Sequence, residues 1–186
     1  MAEEIEVAYV AIDLGTTRRK SLSDGTIATL QDVAEHINER GIEGTVLLHC
    51  NANLRNCLPL EQSDAEKAQI LQDALIVSIR RISFPARNSI EEAKGARQAL
   101  AARDIDPDKV RRFVLCCDHW HGLRLRPIWE LVFPNAKIEL CTDGYVYGND
   151  WGQMLLRFPF WVPMNLAYLT WLRIFGLWGL AYLKQP

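Results

Sequence analysis

Phe113 to Arg124 reads FVLCCDHWHGLR, a continuous apolar run that ends in a polar cluster and then in the start of a helix. Open α/β sheets present ligand-binding groups in this way, at the carboxyl end of a buried strand. Asp118, His119 and His121 stand at that end, and Arg124 follows His121 by three residues, one helical turn, so both can face the same side. An α/β sheet with its site at the end of this strand is therefore expected.

Outward from this stretch the chain alternates strand-like and helix-like segments. Val7 to Leu14 is a β-branched apolar run closed by Gly15, and Thr29 to Arg40 carries apolar residues at helical spacing before Gly41. Thr45 to Cys50 reads as a second strand. Ser63 to Ala74 reads as a helix, with Ser63 as N-cap and Glu66 completing a capping box. Leu75 to Ile82 suits a buried strand, and Asn88 to Arg103 opens on a capping residue and continues with strong helix formers. Val110 to Cys117 is the fourth strand, Gly122 to Phe133 a helix and Lys137 to Cys141 the fifth strand. This alternation predicts right-handed crossovers and an α/β, Rossmann-like three-layer sandwich with a mainly parallel five-stranded sheet.

A chain of 186 residues with 49% hydrophobic content suits one well-cored domain and a tail, here residues 1–157 and 158–186. Its 21 basic and 23 acidic residues give a net charge of -2, without the Lys/Arg block that neutralises phosphates, which excludes a nucleic-acid partner. The opening MAEEIEVAYV is acidic and unlike a secretory signal, so a cytoplasmic location is expected. Five cysteines without framework spacing read as reduced thiols.

Ala11 to Thr17, AIDLGTT, looks like the first phosphate loop of the actin and sugar-kinase superfamily. That hairpin needs a second strand directly after its turn, whereas RRKSLSDG leads into a helix, and a cleft between two large domains does not fit in 186 residues.

A broader match covers most of the chain. The order LGTT, SDAEKA, RNSIEEA and a strand ending CCDHWHGLRL resembles the YdcF-like family, the SanA/ElyC/YdcF domain of unknown function, from about Ala11 to about Thr142. The family's LG turn is matched by Leu14, Gly15 and Thr16, and its S-E-A helix start by Ser63, Asp64 and Ala65. Arg87, Asn88, Ser89, Ile90 and Glu91 match its R-N-T-x-E element, and Cys116, Cys117, Asp118, His121 and Arg124 match its strand end followed by H-x-x-R. His49, Cys50 and Asn51 stand where the family has S-G-G, and Ser83 where an acidic residue usually precedes R-N-T. The resemblance implies a Rossmann-like domain, S-adenosylmethionine as a candidate cofactor, and a link to cell-envelope biogenesis.

Several of these residues support a site on physical grounds. Gly15 permits close backbone approach, and Thr16 offers a hydroxyl beside free amides, which suits a phosphate, carboxylate or ribose; a plain tight turn is the alternative. Asn88 and Ser89 open a helix, where they serve either as cap or as anion donors. Arg124 suits an anionic group, with His121 as its hydrogen-bond partner or as a candidate general acid or base. Cys50, Cys117 and Cys141 at strand ends, near His49, His119 and His121, raise a zinc reading, but no CxxC or HExxH spacing supports it, and no metal is expected.

The tail is the other informative region. From Phe158 to Leu183 the only charge is Arg173, and Tyr168, Trp171, Phe175, Trp178 and Tyr182 recur at three- and four-residue spacing, which predicts a hydrophobic C-terminal helix. A central Arg would cost roughly 2.5 to 3.5 kcal/mol in a spanning helix, so an interfacial helix peripheral to the inner face of a membrane fits better. Docking on its own domain or in a homodimer is the alternative.

The function expected from the sequence is binding of a small anionic or nucleotide-like ligand at the carboxyl edge of the sheet. Gly15, Thr16, Asn51, Asp64, Asn88, Ser89, Glu91, Asp118, His119, His121 and Arg124 are the candidate ligand-binding residues. The competing class is a non-catalytic envelope-associated adaptor that uses the C-terminal helix for its membrane or partner contact.

Overall fold

The apolar runs become five strands, β1 (Val7–Ala11), β2 (Thr45–Ala52), β3 (Arg80–Ala86), β4 (Arg112–Cys116) and β5 (Lys137–Cys141). Between them run four helices, α1 (Asp24–Arg40), α2 (Leu60–Ala74), α3 (Ser89–Ala101) and α4 (His119–Val132). The structure, a computed structural model, describes residues 4–12, 22–40, 45–52, 59–117 and 119–141, together with helical positions 163, 166, 167, 170, 171 and 174.

The strands form one sheet in the order β3-β2-β1-β4-β5, and every neighbouring pair is parallel. β1 is central and buried on both faces, as its uninterrupted VAYVA demands. Ala8 and Val10 face a core shared with α3 and α4, whereas Val7, Tyr9 and Ala11 face α1 and α2. The fold is thus Rossmann-like, with helices on both faces. β1 leads toward β2 and β4 toward β5, so the chain reverses direction across the sheet between β1 and β4, where such sheets bind ligands. Their pairing continues past the strands through the Ile12 amide on the Cys116 carbonyl (3.2 Å), which brings both carboxyl ends side by side. The residues that follow Ile12 in AIDLGTT, and with them the segment that would form a hairpin strand, lie outside the described residues.

Two sequence expectations are corrected. Ser63 is not the N-cap of α2: the helix begins at Leu60 behind Pro59, and the Ser63 amide already donates to the Pro59 carbonyl (2.9 Å). The Ser63 side chain points inward to Asn51, a tertiary partner that outweighs local capping, and Glu66 instead accepts from Gln62 (3.0 Å).

The third strand also lies later than Leu75 to Ile82. Leu75 caps α2, and Ile76 is 87% exposed, with its amide held by the Asn38 side chain of α1 (3.0 Å), which also donates to the Ala74 carbonyl. The apolar run therefore forms a connection whose Leu75, Val77 and Ile79 pack on the α1/α2 core. Pairing with β2 selects Arg80–Ala86, because that register turns Ile82, Phe84 and Ala86 toward α3. As an edge strand, β3 tolerates Arg80, Arg81 and Pro85.

Gly95, inside α3, reads as a weak point by helix propensity. In the fold it allows α3 to approach β3: a Cβ there would lie 2.8 Å from the Phe84 ring and 3.4 Å from the Pro85 carbonyl. Gly95→Ala gains about 1 kcal/mol of helix propensity but displaces a buried ring at a cost of roughly 1 to 3 kcal/mol. Urea unfolding should show a net loss of about 1 kcal/mol; a variant more stable than the wild type would mean that the Phe84 ring yields freely.

Candidate functional site

The best-defined polar group lies on the α3/α4 side of the sheet's carboxyl edge. Asn88 caps α3, its side-chain oxygen accepting from the amides of Ile90 (3.1 Å) and Glu91 (3.0 Å). Glu91 in turn accepts from the Arg87 amide (3.0 Å), from Arg87 Nε (3.2 Å) and from the Asn88 side-chain amide (3.3 Å). Burial works to raise the Glu91 carboxyl, but these donors together hold it below the usual carboxylate range. Asn88 and Glu91 are thus engaged in fixing the helix start, and the residue they position is Ser89, the first of α3.

Ser89 joins α3 to α4. Its hydroxyl oxygen accepts from Arg124 Nη2 (3.0 Å) and lies 3.5 Å from His121 Nε2. α4 reaches this position because Gly122 lets its first turn press against the sheet. A Cβ at Gly122 would stand 3.2 Å from Cys117 Sγ and from the Leu140 methyls. His121 is therefore almost wholly enclosed, and burial, helped by the positive charge of Arg124, pushes its pKa down to about 3. At neutral pH the imidazole is uncharged, which lets it sit beside a guanidinium without repulsion. With its oxygen engaged by Arg124, Ser89 has its own proton to offer to His121 Nε2. The arrangement suits anion recognition better than acid catalysis, since a group with so low a pKa holds no proton to donate at pH 7.

A second polar group occupies the same edge on the α1/α2 side. Along β2 the side chains of Val46, Leu48 and Cys50 enter the α3/α4 core, so His49 and Asn51 alternate to the opposite face, where α2 lies. Asn51 donates to Asp64 Oδ1 (3.1 Å) and accepts from Ser63 Oγ (3.4 Å), while His49 Nε2 lies 3.7 Å from Asp64 Oδ1. One turn along α2, Lys67 is fully enclosed and donates to the Cys50 carbonyl. His49, Asn51 and Ser63 are buried, whereas the Asp64 side chain is 44% exposed and forms the solvent-facing end of the group.

Of the residues proposed from sequence, Ser89, His121 and Arg124 come together, and Asn51 and Asp64 come together. The two groups lie at one edge of the sheet on opposite faces. Gly15, Thr16 and Asp118 lie outside the described residues, as does the side chain of His119, whose backbone opens α4. Lys67 carries no local sign of burial, because SDAEKA reads as an exposed helix start. Ser63 reads locally as a cap, although polar residues at alternate positions of β2 are a usable sign that α2 must supply them with partners.

Cys50, Cys116, Cys117 and Cys141 carry reduced, buried thiols. The hydrogen bond with Cys141, together with burial, pushes the Cys116 thiol well up, so it is protonated at neutral pH. Among the described residues no three His, Cys, Asp or Glu side chains are grouped to hold a metal ion. No family model and no curated protein matches this chain.

Proposed function

We propose that the α/β domain binds a small anionic or nucleotide-like ligand at the carboxyl edge of its sheet, with Arg124 as the charged contact. The observation that carries this reading is the meeting of Ser89, His121 and Arg124, from the starts of two helices that follow the carboxyl ends of β3 and β4. A fixed cation, a hydroxyl and a neutral imidazole recognise an anion without the cost of pairing two like charges. Asn51 and Asp64, across the sheet, suit the hydroxyl or amino groups of a nucleotide-like ligand. The resemblance to the YdcF-like family makes S-adenosylmethionine the first candidate, its carboxylate being the anion for Arg124.

Mass spectrometry of the purified protein under native conditions should reveal a retained small molecule, and calorimetric titration tests S-adenosylmethionine and inorganic phosphate as probes. Arg124→Ala is expected to weaken binding of the effective probe by about 1.5 to 3 kcal/mol, roughly 10- to 150-fold, with the unfolding midpoint nearly unchanged. Equal affinity in the variant would remove Arg124 from the site. A protein that retains no small molecule and responds to neither probe would favour the adaptor reading instead.

A further inference from the structure

Cys116 and Cys141 are the last residues of β4 and β5 and stand opposite one another in the parallel register. Both side chains enter the α1/α2 core, whereas Cys50 and Cys117 enter the core on the other face of the sheet. The two thiols are reduced and hydrogen-bonded to each other. Neighbouring strands run about 4.8 Å apart, inside the roughly 4.4 to 6.8 Å that separates the Cα atoms of disulfide-bonded cysteines. A bond between these sulfurs therefore needs side-chain rotation rather than displacement of a strand.

We propose that Cys116 and Cys141 form an oxidation site, at which hydrogen peroxide converts the two thiols into a disulfide that clamps the carboxyl end of β5 to β4. Cys141 is 5% exposed and Cys116 fully enclosed, so Cys141 meets the oxidant first. Its sulfur attacks one peroxide oxygen as the O–O bond breaks, which leaves a sulfenic acid and one water. The Cys116 sulfur then attacks the Cys141 sulfur and expels a second water. The sulfurs give up two electrons to the peroxide, and both thiol protons leave in the waters. Burial selects this product: a disulfide is neutral, whereas a soft metal ion held by the pair would leave thiolate charge in an apolar core, near Asp32. The mutual hydrogen bond and the same enclosure hold the Cys116 thiol well above its usual range, so the resting pair resists bulky or charged disulfides and yields only to a small neutral oxidant. β5 stands at one end of the sheet order, and the bond closes a loop that contains α4, the carrier of His121 and Arg124.

The test treats the native full-length protein with hydrogen peroxide, blocks remaining thiols with N-ethylmaleimide, and maps the digest by mass spectrometry with fragmentation that separates Cys116 from Cys117. A Cys116–Cys141 cross-link that dithiothreitol removes is expected, with about tenfold less of it when glutathione disulfide replaces the peroxide at equal concentration. The oxidised protein should unfold at a urea midpoint higher by about 1 M, because the bond restricts the unfolded chain. Cys141→Ala, treated alike, should show no such rise, which separates the clamp from oxidation elsewhere. Cys116 and Cys141 that stay reduced, oxidise separately to sulfinic acids or pair with other cysteines would overturn the proposal. So would a cross-linked protein whose midpoint does not rise, because the bond would then strain the strand ends instead of clamping them, or a Cys141→Ala variant whose midpoint rises as much as that of the wild type.

Discussion

Between about pH 7 and pH 4.5 the wild-type domain should lose roughly 3 kcal/mol more stability than a His121→Gln variant. The folded protein holds His121 near a pKa of about 3 by burial and by the charge of Arg124, while the unfolded chain returns it to 6.5. Above pH 6.5 the imidazole is neutral in both states and contributes no pH dependence. Below that value the unfolded chain takes up a proton that the folded protein does not, so stability falls as pH falls, by roughly 1.4 kcal/mol per unit until the folded pKa is reached. Glutamine can keep a hydrogen bond to Ser89 but does not titrate. Urea unfolding of both proteins at the two pH values isolates the effect, because the carboxylates elsewhere titrate alike in each. Parallel pH profiles would mean that His121 is hydrated or opens locally before it must stay neutral. The size matters against the 5 to 15 kcal/mol that typically stabilises a domain.

The same helix carries the larger packing effect. Trp129 of α4 is fully buried against Phe113 of β4 (ring centroids 5.3 Å apart) and Phe133 (5.3 Å), and these two phenylalanines also touch (4.3 Å). Trp129→Ala should cost about 3 to 5 kcal/mol, the usual loss when a large core aromatic leaves a cavity that neighbours cannot fill. Trp129→Phe should cost far less, about 1 kcal/mol. The indole Nε1 is buried and finds no hydrogen-bond partner among the described residues, so replacing it relieves a desolvated donor while ring contact is kept. Thermal and urea unfolding check both variants. If phenylalanine proves as damaging as alanine, the indole N–H has an acceptor that this core does not reveal. Since α4 also carries His121 and Arg124, loosening its packing should weaken anion binding even where the domain remains folded.

The elements that were legible in the sequence are those set by local chemistry. Alternation of apolar runs with helical periodicity was enough for a five-stranded parallel sheet, because parallel strands buried on both faces must be continuously apolar and must be joined by crossovers. Asn88 as the cap of α3 was equally readable, since its partners, the amides of Ile90 and Glu91, lie within three residues. The polar carboxyl end of β4 marks the start of α4, and with it His121 and Arg124, from local sequence alone. Gly15, Thr16, Asp118 and the side chain of His119 lie outside the described residues, so their part in the site rests on the sequence alone.

What the tertiary structure decided are the choices that depend on a distant partner. Leu75 to Ile82 is apolar enough for a strand, yet only pairing with β2 and the reach of Asn38 from α1 determine that the strand starts at Arg80. Ser63 is as good a cap as Asn88 by residue type, but Asn51, 12 positions away, turns it into the core. Gly95 looks like a defect until the Phe84 ring fills the space where its Cβ would be. His121 carries no sign in its neighbours along the chain that it will be uncharged, because its pKa is set by enclosure and by a guanidinium that α4 folds beside it. Local sequence specifies periodicity and caps because those interactions span a few residues; register, burial and charge state follow from contacts that exist only once the chain has folded.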